Sequence, residues 1–120
     1  MFDEVAFCVC DDGFHSIRCA DDLKNVDFSK SLAYTHVQIQ PYAKACAELY
    51  NLSANTYGTM RMLLIGIYEY FMNSNLPRLC MDVPINKLEF FKMMGWKMGW
   101  QYSDGKQCWI YIDVMHDETV

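Results

Sequence analysis

Cys8, Cys10, His15 and Cys19 fall close together near the start of the chain, and thiolate and imidazole are ligands that zinc takes in tetrahedral sites. An Asp12-Gly13 pair between them reads as a two-residue hairpin turn, which places Cys10 opposite His15 and all four side chains on one face. Ile17 interrupts the set between His15 and Cys19, and a flat sheet face does not gather four ligands around one ion. Small buried thiols beside a core-edge histidine are the simpler reading, and no metal is expected. Cys46 is a second candidate, as a nucleophile, because the first turns of a helix lower a thiol pKa. Ala45-Cys46-Ala47 nevertheless reads more simply as helix packing. None of the six cysteines forms a Cys-x-x-Cys pair, so free buried thiols are the default.

The elements that position these groups follow from periodicity and turn chemistry. Val5, Phe7 and Val9 alternate ahead of the Asp12-Gly13 turn, and Phe14 to Cys19 follows it, which predicts a hairpin. Ser31 to Gln40 is a β-branched and aromatic stretch stopped by Pro41, a third strand. Pro41 and the alanines at 43, 45 and 47 predict a helix ending near Asn51 to Asn55. A second helix runs from Thr56, with Tyr57, Met60, Leu63, Leu64, Ile67 and Phe71 at helical spacing, to the Asn73-Ser74-Asn75 cluster. Leu79 to Val83 is a short strand, Asn86 to Met94 a helix closed by Gly95, and Asp104-Gly105 turns a terminal hairpin. A two-residue turn there sets Trp100 opposite Trp109 and Met98 opposite Tyr111. The order is β-β-β-α-α-β-α-β-β, an α+β domain with one mixed, mainly antiparallel sheet flanked by helices.

The chain of 120 residues is 52% hydrophobic and 15% aromatic, enough apolar surface for a single domain over 1–120 and against disorder. Its charge of −5 argues against a nonspecific nucleic-acid binder. That charge is uneven: residues 1–27 carry seven acids and two bases, 107–120 three acids and no base, and 28–106 eight bases and five acids, a net of 8 − 5 = +3. An anionic ligand is expected in that middle. The acidic start, Met1-Phe2-Asp3-Glu4, lacks the basic region of a secretory signal, and no apolar run is long enough to span a bilayer. The expectation is a cytoplasmic protein with no membrane partner.

Val83 to Trp96, an Asn86-led helix ending Phe90-Phe91-Lys92-Met93-Met94-Gly95-Trp96, resembles the late motif of the acyl-CoA-dependent GNAT acyltransferases. The resemblance lays residues 31–114 on the family's fourth strand through its last and 3–20 on the preceding hairpin. On that alignment the family's first strand and first two helices are missing, a trimmed layout similar to that of small viral relatives and consistent with a phage or mobile-element origin. The family holds the cofactor pyrophosphate on a helix N-terminus in the pattern Arg/Gln-x-x-Gly-x-Gly/Ala, where glycines permit close approach. Two registers meet that pattern in part. Lys44 to Leu49 lacks both glycines; Asn55-Thr56-Tyr57-Gly58-Thr59-Met60 keeps the first, Gly58.

What the resemblance implies is acyl transfer from acetyl-CoA to an amine, with Lys44 or Asn55, Thr56, Gly58 and Thr59 near the cofactor phosphates. Phe91 falls where the family often has the Tyr that protonates the departing thiolate, and Asn86 lies two positions late. Tyr102 and Tyr111 are the substitute acids; Glu48 and Asp82, with His36 third, are the candidate bases. The alternative is a catalytically inactive binding protein on the same fold that engages a protein partner through its acidic ends or its aromatic terminal hairpin (Met98, Trp100, Trp109, Tyr111).

Overall fold

A computed structural model describes residues 4–17, 27–40, 46–74 and 76–114. Seven strands form one sheet: β1 (Glu4–Cys10), β2 (Gly13–Ile17), β3 (Ala33–Gln40), β4 (Cys46–Ala54), β5 (Arg78–Pro84), β6 (Lys97–Gln101) and β7 (Gln107–Asp113), in the spatial order β2-β1-β3-β4-β5-β7-β6. Every pairing is antiparallel except β4 with β5. The two helices are α1 (Tyr57–Met72) and α2 (Leu88–Met93), with short 3₁₀ turns at Phe28–Lys30 and Ile85–Lys87. The α+β class and the mixed, mainly antiparallel sheet are as the sequence predicts. Among the described residues no helix is long and apolar enough to cross a membrane.

One element is of the other kind. The helix expected from Pro41 to Asn51 is strand β4 from Cys46 onward; Lys44 lies outside the described residues. Alanine-rich propensity is a weak prior that pairing on both edges overrides. Ala47 and Leu49 are buried in the core while Glu48 and Tyr50 between them are only half-buried, the period-two pattern of a strand. The sheet therefore has four strands ahead of α1, and the strand preceding that helix is β4 rather than β3.

The core lies on one face of the sheet. Val5, Phe7, Val9, Val37, Ala47, Leu49, Leu79, Met81, Val83 and Ile110 meet Leu63, Leu64, Ile67 and Phe71 of α1 and Phe91 of α2. Burial of these side chains is the main stabilisation of the fold, each large one contributing about 1.5–3 kcal/mol. Gly66 lets α1 approach β2: a Cβ there would lie 2.5–2.8 Å from three ring carbons of Phe14. The opposite face carries the alternate side chains, among them Glu48, Tyr50, Cys80, Asp82, Trp109 and Tyr111. Neither helix packs on it. At Phe28 the segment entering β3 lies on that face, its ring 5.0 Å from Tyr34 and 5.2 Å from His36.

Candidate functional site

The site begins where two adjacent strands part. β4 and β5 pair in parallel only at Cys46 with Arg78, Ala47 with Leu79 and Glu48 with Cys80. Beyond that point β4 stays with β3 and β5 with β7, so a wedge opens between them. A cleft of about 670 Å³ fills the wedge, walled by β4 from Leu49, by Met81 to Pro84 of β5, and by Met60, Phe90 and Phe91. Volumes of this order suit a cofactor or drug-sized ligand. Along it, the β5-facing edge of β4 offers backbone amides that no described strand takes up, the kind of edge an extended amide-bearing ligand can pair with.

A bulge shapes that wall. Tyr34 pairs with Ser53 but His36 with Tyr50, so Asn51 and Leu52 together oppose Thr35, and Asn51 has φ +54°. Such a bulge leaves ladder groups unpaired and bends the strand. Thr35, fully buried beside the bulge, ties into it: its hydroxyl donates to the Tyr50 carbonyl at 2.9 Å.

The mouth of the cleft is the N-terminus of α1. Thr56 is its N-cap, accepting from the Thr59 N–H at 3.1 Å, while the Thr59 hydroxyl accepts from the Thr56 N–H at 3.2 Å, a reciprocal capping box. No acidic residue occupies the first turn, and Asn55, Thr56 and Tyr57 line the cleft. A Cβ on Gly58 would meet nothing closer than the Thr56 hydroxyl at 3.7 Å, so the space outside this turn is open. Lys87 adds a positive charge, its Nζ donating to Tyr57 Oη at 3.1 Å and lying 5.3 Å from the ring centre. Helix N–H groups and an ammonium at one point make a place for phosphate. Met60 stands where the second glycine of the cofactor pattern would be, and it lines the cleft. Of the two registers considered for that pattern, Asn55 to Met60 is the one at a helix start.

At the inner end of the wedge three of the five catalytic candidates gather. Glu48 lies on β4 opposite Cys80, Asp82 two residues further along β5, and Tyr102 just past β6. Tyr102 Oη donates to Asp82 Oδ1 at 2.7 Å. Partial burial, aided by the like charge of Asp82, holds the Glu48 carboxyl above the usual carboxylate range. The hydrogen bond to Asp82 pushes the Tyr102 phenol above its ordinary value. Asp82 also lines a second hollow of about 400 Å³ with Tyr102, Ser103, Asp104 and Gln107; the two hollows share that carboxylate. Beside it Trp100 and Trp109 stack at 4.3 Å with 6° between their planes.

Other candidates sit elsewhere. His36 packs between Phe28 and Tyr50, 5.3 Å from the latter's ring, and Nδ1 has no hydrogen-bond partner among the described residues. Tyr111 lies under the Arg78 guanidinium at 4.3 Å. Phe91 is buried, 6.4 Å from Trp96, and Asn86 is in the turn after β5. Cys46 loses its helix N-terminus: it is a buried strand residue with Sγ 2.7 Å from Cys80 Sγ. The terminal hairpin keeps Trp100 opposite Trp109, but Met98 meets Ile110 instead of Tyr111 because Gly99 bulges. Cys8, not Cys10, faces His15, since the first turn comprises Asp11 and Asp12; Cys19 is outside the described residues. Sequence reasoning gave Lys87 no role, read Tyr57 as part of the apolar stripe of the helix, and missed the Asn51 bulge. Lys87 had a visible signal, a base within the Asn86-led motif, and Tyr57 lay inside the Asn55 to Met60 register; the bulge had none.

The chain folds as a seven-stranded sheet in which a parallel β4–β5 pair splays and the helix between those strands starts at the opening, and its overall fold is similar to those of solved structures. The chain superposes on the ribosomal-protein-S18-alanine N-acetyltransferase of Escherichia coli with TM-score 0.57 over 79% of its own length and 70% of that chain, at 13% identity. The fold is that of the GNAT N-acetyltransferases. Mutant forms of the spermidine/spermine N-acetyltransferase SpeG of Vibrio cholerae match with TM-score 0.58 over 92% of this chain and 67% of theirs, at 16% identity. Nourseothricin acetyltransferase matches with TM-score 0.58 over 93% and 85%, at 14% identity. The chain thus spans about two thirds of the length of several of these GNAT proteins. No protein-family profile matches the sequence, and no curated protein matches it by sequence.

Proposed function

We propose that this GNAT-fold chain transfers an acyl group from acetyl-CoA to an amine. The observation that carries the reading is one continuous opening between β4 and β5, running from the capped start of α1 to Asp82, with Glu48 at the last β4–β5 pair before the strands part. When bound, acetyl-CoA supplies the thioester whose carbonyl carbon the amine attacks. The residues present suit it: the α1 N-terminus at Thr56 to Gly58 with Lys87 for the phosphates, and the free edge of β4 for the amide-bearing arm. Met60 in place of a small residue narrows the fit at the phosphate end.

On the acceptor side, Asp82 and Glu48 place negative charge where a protonated amine enters, with Asp104 at the rim of the second hollow. Glu48 is the group suited to take the amine's proton, because its raised pKa brings it nearer to working pH. Asp82 is held in place by Tyr102. Tyr102 carries a phenolic proton on the same face, but a phenol raised above about 10 is a weak donor to a thiolate whose acid has pKa about 8.5.

Acyl transfer to a panel of primary amines, read as thiol release and by product mass, tests this. Glu48→Gln is expected to lower kcat/KM by about 10²–10⁴-fold, and Tyr102→Phe by only about tenfold or less. A Glu48→Gln variant with the full rate contradicts the assignment of the base.

A further inference from the structure

We propose that the turn joining β1 and β2 is a zinc site, with Cys10 Sγ, the Asp12 carboxylate and His15 Nε2 as ligands and Cys8 Sγ moving in beside Cys10 as the fourth. One ligand atom from each of Cys10, Asp12 and His15 lies within 4.8 Å of the others. Cys8 Sγ is 3.9 Å from Cys10 Sγ. Two thiolates about 2.3 Å from a tetrahedral zinc ion are necessarily about 3.8 Å apart, so the two sulfurs already stand at the right separation. His15 Nε2 and Asp12 Oδ1 are closer, 2.7 Å, because they share a proton. A metal in its place requires that contact to open to about 3.4 Å, which both side chains, exposed by 46% and 74%, are free to do.

Two features separate this proposal from the four-residue set, from which no metal was expected. The objection to the Cys8, Cys10, His15, Cys19 set was that a flat face cannot surround an ion. The actual turn brings in Asp12 instead of Cys19, and a turn residue rises out of the sheet plane. Gly13, at φ +126°, is what allows Asp11 and Asp12 to form the loop with Cys10 directly opposite it. Two sulfurs, one imidazole and one carboxylate favour zinc over magnesium or calcium, which take oxygen ligands. The role is structural. β2 is a five-residue edge strand, and the ion would clip its turn to β1, with β3 between that hairpin and the β4 and β5 strands of Glu48 and Asp82.

The test uses the full chain, stripped of metal and titrated with Co²⁺ as a spectroscopic stand-in and with Zn²⁺. About one equivalent is expected, with the visible bands of tetrahedral cobalt thiolate displaced by zinc and with a rise in Tm on loading. Cys10→Ser and the conservative pair Asp12→Asn/His15→Gln should abolish the bands, while Cys46→Ser retains them; the exposed pair serves if Cys10→Ser fails to fold. Less than about half an equivalent of zinc bound, bands that survive Asp12→Asn/His15→Gln, or bands lost in Cys46→Ser would each overturn the site.

Discussion

Glu48 occupies an uncomfortable position, since its carboxylate is partly withdrawn from water and Asp82 adds like charge. Its folded-state pKa is raised above the unfolded value, so stability is fully present below about pH 4 and is lost as pH rises through the folded pKa. Glu48→Gln removes that loss. The Tm advantage of the variant over the parent should therefore be larger at pH 7 than at pH 4, and an advantage equal at both would show that Glu48 is solvated like a surface acid. Asp82→Asn should move the acid limb of the kcat/KM profile to lower pH by removing the like charge. These two carboxylates were legible in the sequence only as candidates. Their proximity depends on β4 and β5 being parallel neighbours 34 residues apart in sequence at Glu48 and Asp82, and no local pattern encodes that.

At the scale of elements, the ones with local punctuation were legible and those set by pairing were not. Thr56 and the Asn73-Ser74 cluster bound α1 as expected because caps act within a turn. β4 was misread because its alanines suit a helix, although Ala47 and Leu49 alternate with Glu48 and Tyr50. The Gly99 bulge shifted the terminal register by one residue at Met98; a glycine in a strand signals a bulge without saying which way the register moves. Packing of α1 on the sheet gives a sharper prediction. Gly66→Ala sets a methyl against the Phe14 ring, an overpacking cost of about 1–3 kcal/mol that outweighs the gain in helix propensity of about 1 kcal/mol. Thermal unfolding should show a Tm several degrees lower, and in a Phe14→Ala background the same change should be neutral or stabilising. A destabilisation unaltered by Phe14→Ala would contradict that close approach.

For the molecule as a whole, the arrangement separates structure from chemistry. Both helices and the continuous core lie on one face of the sheet, and Glu48, Asp82, Tyr102 and the Trp100/Trp109 stack lie on or beside the other. The β4–β5 wedge is the passage between them. An acyl donor entering from the α1 side and an amine arriving on the opposite face would meet at Asp82, which borders both hollows. The net −5 charge of the chain does not oppose a phosphate-bearing ligand, because the basic side chain nearest the mouth, Lys87, is directed there.

The most direct measurement is a thermal-shift and calorimetric titration of the full chain with acetyl-CoA and desulfo-CoA, in parallel with Gly58→Ala. A ligand that binds only the folded state stabilises it by mass action, by about 2.7 kcal/mol at 100 times Kd. The account predicts a saturable rise in Tm of several degrees with both ligands in the parent chain. It also predicts that Gly58→Ala, whose new methyl meets nothing closer than 3.7 Å in the protein, folds with a Tm no lower than the parent's but loses most of that rise. No shift in the parent at millimolar ligand, or an undiminished shift in Gly58→Ala, would contradict the placement of the cofactor at the start of α1.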